Sequence, residues 1–200
     1  MPNQPTSVTI IRDSANRYFA SFVVETCAQH LPKSNNSIGI DLGISTFATL
    51  SNGEKINAPK PLKNNLKKLA KFQRKFVKTQ PGSKRRERRR LKIARLHAKI
   101  KEIRTDFLHK LSTDLVKKYD TIVLEDLNVS GMVKKRCDPA TTPVPRERAP
   151  RDRKLAKAIS DLGWRQFRTL TEAKCEKYGR EFRVISRWEP TSHALFSLWF

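Results

Sequence analysis

Two carboxylates close apolar, strand-like runs in this chain. Asp41 follows Ser37-Ile38-Gly39-Ile40, and Glu125 follows Thr121-Ile122-Val123-Leu124. A strand fixes the position of its last residue, and the turn beyond it leaves the carboxylate at a sheet edge, where it can hold a divalent metal. Alone, an Asp in such a place is just as readily the cap of a turn. The pairing with Glu125 adds weight. Strands joined through helices tend to lie parallel in one sheet, so both acids are expected at the same C-terminal edge. Convergent carboxylates repel one another unless a cation sits between them. Mg²⁺ takes oxygen ligands and keeps positions open for phosphate, and two such ions can clamp the attacking and leaving oxygens of a phosphodiester. Asp41 and Glu125 therefore point to metal-dependent chemistry on nucleic acid, with a third ligand missing from the pattern.

The charge between the two acids agrees. Residues 60–118 carry 22 of the 42 Lys and Arg but only four acids, in a chain of 200 residues with net charge +23. Self-repulsion of that size disfavours a compact state, and a polyanion relieves it. The densest run, Lys84-Arg85-Arg86-Glu87-Arg88-Arg89-Arg90, exceeds what a solvated helical face needs. With Lys92 and Arg95 its side chains are expected to meet phosphates rather than base edges, giving steep salt dependence and little sequence choice. Cys27, Cys137 and Cys175 form no Cys-x-x-Cys pair, so no zinc site or disulfide framework is expected, in keeping with a reducing cytoplasm. His30, His97, His109 and His193 lack metal-ligand spacing, and Trp164 and Trp188 read as packing residues. The opening residues are polar and no apolar run approaches the roughly 20 residues of a spanning helix. The expectation is a cytoplasmic protein without a membrane partner.

The elements that must position these groups follow from periodicity. Val8–Ile11 and Tyr18–Val24 read as strands, then a polar linker leads to a meander of Ile38–Leu42, Thr46–Leu50 and Glu54–Asn57. Asn52-Gly53 predicts a two-residue hairpin turn in that meander. Apolar residues at helical spacing run from Leu62 to Phe76 and from Ile93 to Leu115, and the break at Pro81-Gly82 predicts a basic antiparallel helical hairpin. Thr121–Glu125 is a buried strand, 133–154 a Pro- and Arg-rich loop, Leu155 to Tyr178 one helix, and Phe182–Ile185 a last strand. The plan is α/β.

Two other functions fit parts of the pattern. Gly39-Ile40-Asp41-Leu42-Gly43 also suits the phosphate-facing hairpin of an actin-like ATPase, but such enzymes need further Gly-rich loops, and only Gly131, Gly163 and Gly179 lie beyond residue 82. The basic hairpin and the Arg/Pro loop alone would make a non-catalytic DNA- or RNA-binding module.

In order along the chain, Ile38–Ile44, the hairpin with Leu96–Ile100 and Arg104–Thr113, Ile122–Val129 and Leu155–Trp164 resemble the OrfB/TnpB proteins of bacterial insertion sequences, relatives of type V CRISPR nucleases. The resemblance covers most of residues 8–192. It implies a ribonuclease H-like (RuvC-type) mixed sheet over 37–192 with the helical hairpin 60–118 inserted, preceded at 1–36 by the end of an RNA-binding wedge domain and linker. It also implies a Mg²⁺-dependent DNA endonuclease that pairs a guide RNA with DNA, in which Asp41 and Glu125 match the first two catalytic, metal-binding carboxylates. The family continues beyond Trp188-Glu189-Pro190-Thr191-Ser192 into a zinc ribbon and a third catalytic Asp. Residues 193–200 depart from that pattern. With one choice of codons, back-translation read one base later spells Thr-Leu-Cys-Ser-Pro-Cys-Gly, and the expectation is a frameshift near Ser192. The resulting expectation is a truncated, nucleic-acid-binding transposon protein, cleavage-impaired alone.

Overall fold

A computed structural model describes residues 4–26, 30–133 and 149–186, with backbone alone for 149–154. Most of the expected Pro/Arg loop, the Trp188–Ser192 motif, the tail, Cys27 and Cys137 lie outside the described residues. The chain divides into two compact units, residues 1–28 with 61–105 and residues 29–60 with 106–200.

The second unit holds a five-stranded mixed sheet in the order β5-β4-β3-β6-β7. Its strands are β3 (Ser37–Leu42), β4 (Ala48–Leu50), β5 (Lys55–Ile56), β6 (Thr121–Glu125) and β7 (Glu181–Ile185), numbered after two strands of the first unit. The meander β3-β4-β5 is antiparallel, whereas β3-β6 and β6-β7 are parallel. Ile38, Ile40 and Leu42 on β3 alternate into the core, as do Ile122 and Leu124 on β6. One face of the sheet is thereby buried against Leu108, Leu115 and Val116 of α2 (Lys84–Lys118), Ile159 and Leu162 of α4 (Ala149–Leu162), and Phe167 and Cys175 of α5 (Trp164–Tyr178). Phe47 stands edge-on to Phe107 at 5.2 Å and to Phe167 at 5.3 Å, tying the meander to two helices. Each such side chain contributes about 1.5–3 kcal/mol when fully buried.

Strand register is pinned at the end of the sheet away from the two acids. The backbone N–H of Asp120 donates to Asn36 O at 2.8 Å, and its C=O accepts from Glu181 N–H at 2.8 Å, so one residue holds the starts of β3, β6 and β7. The Asp120 carboxylate accepts the Ser34 and Asn35 N–H groups, each at 2.6 Å, and pairs with Arg180. Arg180, only 9% exposed, also donates to Val116 O at 3.2 Å and Pro32 O at 3.0 Å. Lys174 cross-links α5 to α2 by donating to His109 O, Ser112 Oγ and Thr113 Oγ1 at 2.6–2.7 Å, and burial lowers its pKa. Burial pushes the Cys175 thiol up to about 11, which leaves it unreactive.

Three local expectations are corrected. The turn at Asn52-Gly53 is not a two-residue hairpin: Leu50 N–H donates to Glu54 O, so Ser51, Asn52 and Gly53 form a longer loop. Within the loop only Gly53 takes a positive φ, 87°, and the Asn52 side chain accepts the Glu54 N–H at 3.0 Å. The single helix expected up to Tyr178 is two. Gly163, at φ 73°, breaks the chain between α4 and α5, a left-handed conformation that favours glycine. The helix α4 also begins at Ala149, inside the segment expected to be loop.

The first unit contains the ribbon of β1 (Ser7–Arg12) and β2 (Tyr18–Val23), α1 (Pro61–Val77) and the first part of α2. Leu69, Leu96 and Ile100 form its small buried cluster, flanked by Leu62, Phe72 and Ile93. Leu66, expected in the same stripe, is 42% exposed. The ribbon turn is held by the Asp13 carboxylate, which accepts Ala15 N–H and Arg17 N–H at 2.9 Å, and Arg17 pairs with Glu102 of α2. The ribbon's apolar side chains are exposed, Ile10 at 75% and Tyr18 at 66%. Among the described residues, no helix is long and apolar enough to cross a membrane.

Candidate functional site

The register carries the two acids to one place. Ser37 pairs with Thr121 and Ile40 with Leu124 in a parallel ladder, so the next residues, Asp41 and Glu125, fall side by side. Adjacent strands lie roughly 4.8 Å apart. Because Ile40 and Leu124 point into the core, Asp41 and Glu125 share the opposite face. Asp41 is exposed and Glu125 half-buried. The chain must turn sharply after Asp41: Gly43 N–H donates to Phe47 O, and a Cβ on Gly43 would meet Thr46 O at 2.8 Å. The glycine therefore keeps the backbone beside Asp41 tight.

Two adjacent hard oxygen donors suit Mg²⁺, which is commonly held by one or two carboxylates together with substrate phosphates and water. Among the described residues, no group of three His, Cys, Asp or Glu converges for metal binding. Asp126, the next acid, is drawn away: Arg168 of α5 donates to its Oδ1 at 2.6 Å.

A cavity of about 320 Å³ opens beside Glu125, walled by Leu127, Asn128, Val129, Trp164, Arg165 and Arg168 among others. Asn128 Oδ1 accepts Ser130 Oγ–H at 3.0 Å and Gly131 N–H at 2.9 Å, starting the short helix α3 (Val129–Val133) at the cavity rim. Trp164 is both a packing residue, 4% exposed, and part of this wall. Sequence reading missed the cavity, since the break at Gly163 is what brings the start of α5 to the strand end. Its one visible signal was Asp126 directly after Glu125.

The basic residues separate into two sets. Lys84, Arg85, Arg88, Arg90, Lys92 and Arg95 are exposed on α2, and Arg85, Arg88, Lys92 and Arg95 recur at helical spacing as one stripe. Arg86 and Arg89 are half-buried and turn back to the end of α1. Arg86 donates to Thr79 O at 2.8 Å and stacks on Phe76 at 4.3 Å, while Arg89 donates to Thr79 Oγ1 at 2.6 Å and to Lys75 O. These two satisfy carbonyls left over at a helix C-terminus. Lys67, Lys71 and Arg74 make a further exposed basic row on α1, which the density of the 84–90 run had overshadowed.

Residues 21–136 match the family model OrfB_IS605, described as "Probable transposase". The chain belongs to this OrfB_IS605 family. It is 43% identical over 189 residues to a "Putative RNA-guided DNA endonuclease" of Streptomyces pristinaespiralis, covering 94% of this chain and 43% of that protein. InsQ of Escherichia coli K12, described in the same words, is 33% identical over 159 residues, covering 79% of this chain and 39% of InsQ. The TnpB-like protein L79 of Acanthamoeba polyphaga mimivirus is 29% identical over 139 residues, 64% of this chain and 26% of L79. This OrfB_IS605 member thus spans less than half the length of each of these relatives. A Cas12f1 chain from a complex with sgRNA and target DNA superposes with TM-score 0.44 at 15% identity, over 84% of this chain and 32% of the other. Both carboxylates and the exposed α2 stripe fall inside the matched segment.

Proposed function

We propose that the chain is a ribonuclease H-like, RuvC-type nuclease segment carrying a basic helical hairpin, which binds DNA and a guide RNA and uses Asp41 and Glu125 to hold Mg²⁺ for phosphodiester cleavage. The observation that carries this reading is the parallel β3-β6 register, which sets the two acids side by side on the open face of the sheet. When bound, Mg²⁺ neutralises the phosphate and activates the attacking oxygen. The protein holds the two carboxylates on neighbouring strands and keeps the next turn tight through Gly43. The exposed residues of the α2 stripe hold the nucleic-acid backbone by charge. Two carboxylates make a weak metal site until substrate phosphate completes it, so cleavage by this chain alone is expected to be slow. The relatives described as RNA-guided DNA endonucleases support the choice of substrate and partner.

The test is metal binding by calorimetry together with plasmid nicking in Mg²⁺. Asp41→Ala and Glu125→Ala are each expected to remove both. Nicking or metal binding that survives either change at full strength assigns the chemistry elsewhere.

A non-catalytic binding module is the second reading, favoured by the exposed basic rows of α1 and α2. It predicts salt-sensitive DNA or RNA binding with no effect of Mg²⁺ on cleavage and no sensitivity to Asp41→Ala.

A further inference from the structure

Lys60 occupies a position that its own backbone disfavours. It stands between β5 and α1 in the left-handed region, at φ 46°, where a side chain beyond Cα crowds the backbone. The next residue is Pro61, whose ring biases the residue before it toward extended backbone. Pro61 also begins α1, and just before a helix the favoured residue offers an oxygen to the first amide groups. Lysine has no acceptor, and its charge opposes the positive end of the helix dipole. Glycine or asparagine would suit the place on every local count. What lysine supplies instead is reach. Half-buried, it donates from Nζ to Ser45 O at 2.8 Å.

Ser45 lies in the turn that leaves β3 just after Asp41. The ladder holds β3 as far as Leu42, which pairs with Ala48. Beyond it the base of the turn is closed by Gly43 N–H donating to Phe47 O at 3.2 Å and Phe47 N–H donating to Ile56 O at 2.9 Å. Ile44 and Ser45 form the exposed tip, and the Lys60 ammonium grips the turn there. We propose that Lys60 is a positioning residue for the metal site: by holding Ser45 it fixes the turn after β3 and, through it, the Asp41 carboxylate beside Glu125. This rests on the reading of Asp41 and Glu125 as a Mg²⁺ site, and concerns how fully that site is formed before metal arrives. A lysine acting only by its charge would have the opposite effect, because an ammonium near two carboxylates repels a divalent cation. Removing the ammonium therefore separates the two roles by sign. A loosened Asp41 is competent for a smaller fraction of the time, and metal affinity falls by that fraction. Loss of charge alone would raise the affinity.

Lys60→Ala, Lys60→Gly and Lys60→Arg are compared with the wild type by amide exchange of a peptide covering residues 41–47 and by Mg²⁺ calorimetry. Glycine removes the ammonium and relieves the backbone at once, so a loss shared by alanine and glycine belongs to the side chain and not to strain. Exchange is expected to be on the order of tenfold faster in Lys60→Ala and Lys60→Gly. The Mg²⁺ dissociation constant should be about fivefold higher in both. Lys60→Arg should stay near the wild type in both measurements, because its guanidinium can still donate to Ser45 O. Nicking should show the same split: the half-saturating Mg²⁺ concentration rises, while the rate at saturating Mg²⁺ stays within about twofold of the wild type. Unchanged exchange overturns the proposal, and so does metal binding that is unchanged or tighter in Lys60→Ala and Lys60→Gly. A saturating rate that falls with the Mg²⁺ midpoint unmoved overturns it as well, since the ammonium would then act in the chemical step. The metal-site reading fails separately if Mg²⁺ binding survives Asp41→Ala; the exchange result then still decides whether Lys60 holds the turn.

Discussion

The carboxylate edge of the β3-β6 ladder and the basic face of α2 are built by opposite means. At the edge, two side chains are placed by a sheet whose neighbours Ile40 and Leu124 are 2% exposed, and by a register held at Asp120. In the proposed function position is everything there, and each acid is irreplaceable. On α2, six cations are exposed, and the task proposed for them needs charge density but no fixed geometry. Affinity of that kind is spread over many small contributions, and loss of any one is expected to be tolerated. The contrast teaches where rigidity matters: chemistry needs a core behind it, and electrostatic capture does not.

Salt separates the two regions most strongly. If the six exposed α2 cations each meet a phosphate, raising salt from about 50 to about 200 mM should weaken nucleic-acid binding on the order of 10³-fold. Fluorescence anisotropy across that range checks it. An affinity indifferent to salt breaks the comparison, since capture would then depend on geometry as well.

The next effect belongs to the edge. Asp41→Ala should lower Mg²⁺-dependent nicking by on the order of 100-fold or more, because it removes one of the two carboxylates proposed to hold the metal, while anisotropy in EDTA changes little. A parallel loss of nucleic-acid affinity in EDTA would mean that the edge also performs capture. Charge removal on α2 should produce the reverse pattern.

The register clamp gives a smaller, pH-dependent effect. Burial alone would raise the Asp120 pKa, but the N–H groups of Asn35 and Ser34 and the Arg180 charge together hold it below the ordinary 3.8. A carboxylate depressed in this way stabilises the fold at pH values above its unfolded pKa. That contribution is lost as pH falls through the folded value. Urea midpoints of the wild type should therefore drop more steeply below about pH 4 than those of Asp120→Asn. Parallel curves would show that the clamp rests on its backbone bonds alone. If the register slips in the variant, metal binding at Asp41 and Glu125 should weaken at neutral pH, although the change lies at the other end of the strands.

Most of this geometry was legible where local chemistry and burial agree. The runs Ile38–Leu42 and Thr121–Glu125 read as strands because β-branched and apolar residues there have one fate, and helical connections made parallel pairing the natural guess. The legible part ended where competing local bonds or distant packing decide. At Asn52 two local outcomes compete, a positive φ or a side-chain bond to the Glu54 N–H two residues on, and the second forms in the longer turn. Gly163 sits in a run whose apolar spacing suits one helix, so only packing reveals two. A stripe stepping by threes and fours from Ile93 through Phe107 and Leu111 to Leu115 leaves out Leu108 and Val116, both 0% exposed, because the buried face shifts along so long a helix. The cavity depends on three separated segments, and sequence spacing cannot show it.

The sharpest division lies within the basic run itself, where Arg88 and Arg89 are neighbours of identical chemistry. Arg88 is exposed, whereas Arg89 donates to Thr79 Oγ1 at 2.6 Å and to the Lys75 carbonyl, closing the junction of α1 with α2. Arg88→Ala should cost a few-fold in affinity and reduce the salt slope by about one, with thermal stability unchanged. Arg89→Ala should cost about 1–3 kcal/mol of stability, because acceptors at a helix end lose a charged donor. It should leave the salt slope closer to the wild type than Arg88→Ala does. Paired thermal melts and salt titrations of the two variants read both quantities. Identical behaviour would mean that the run acts only as a block of charge, and that the contacts to α1 add nothing to it.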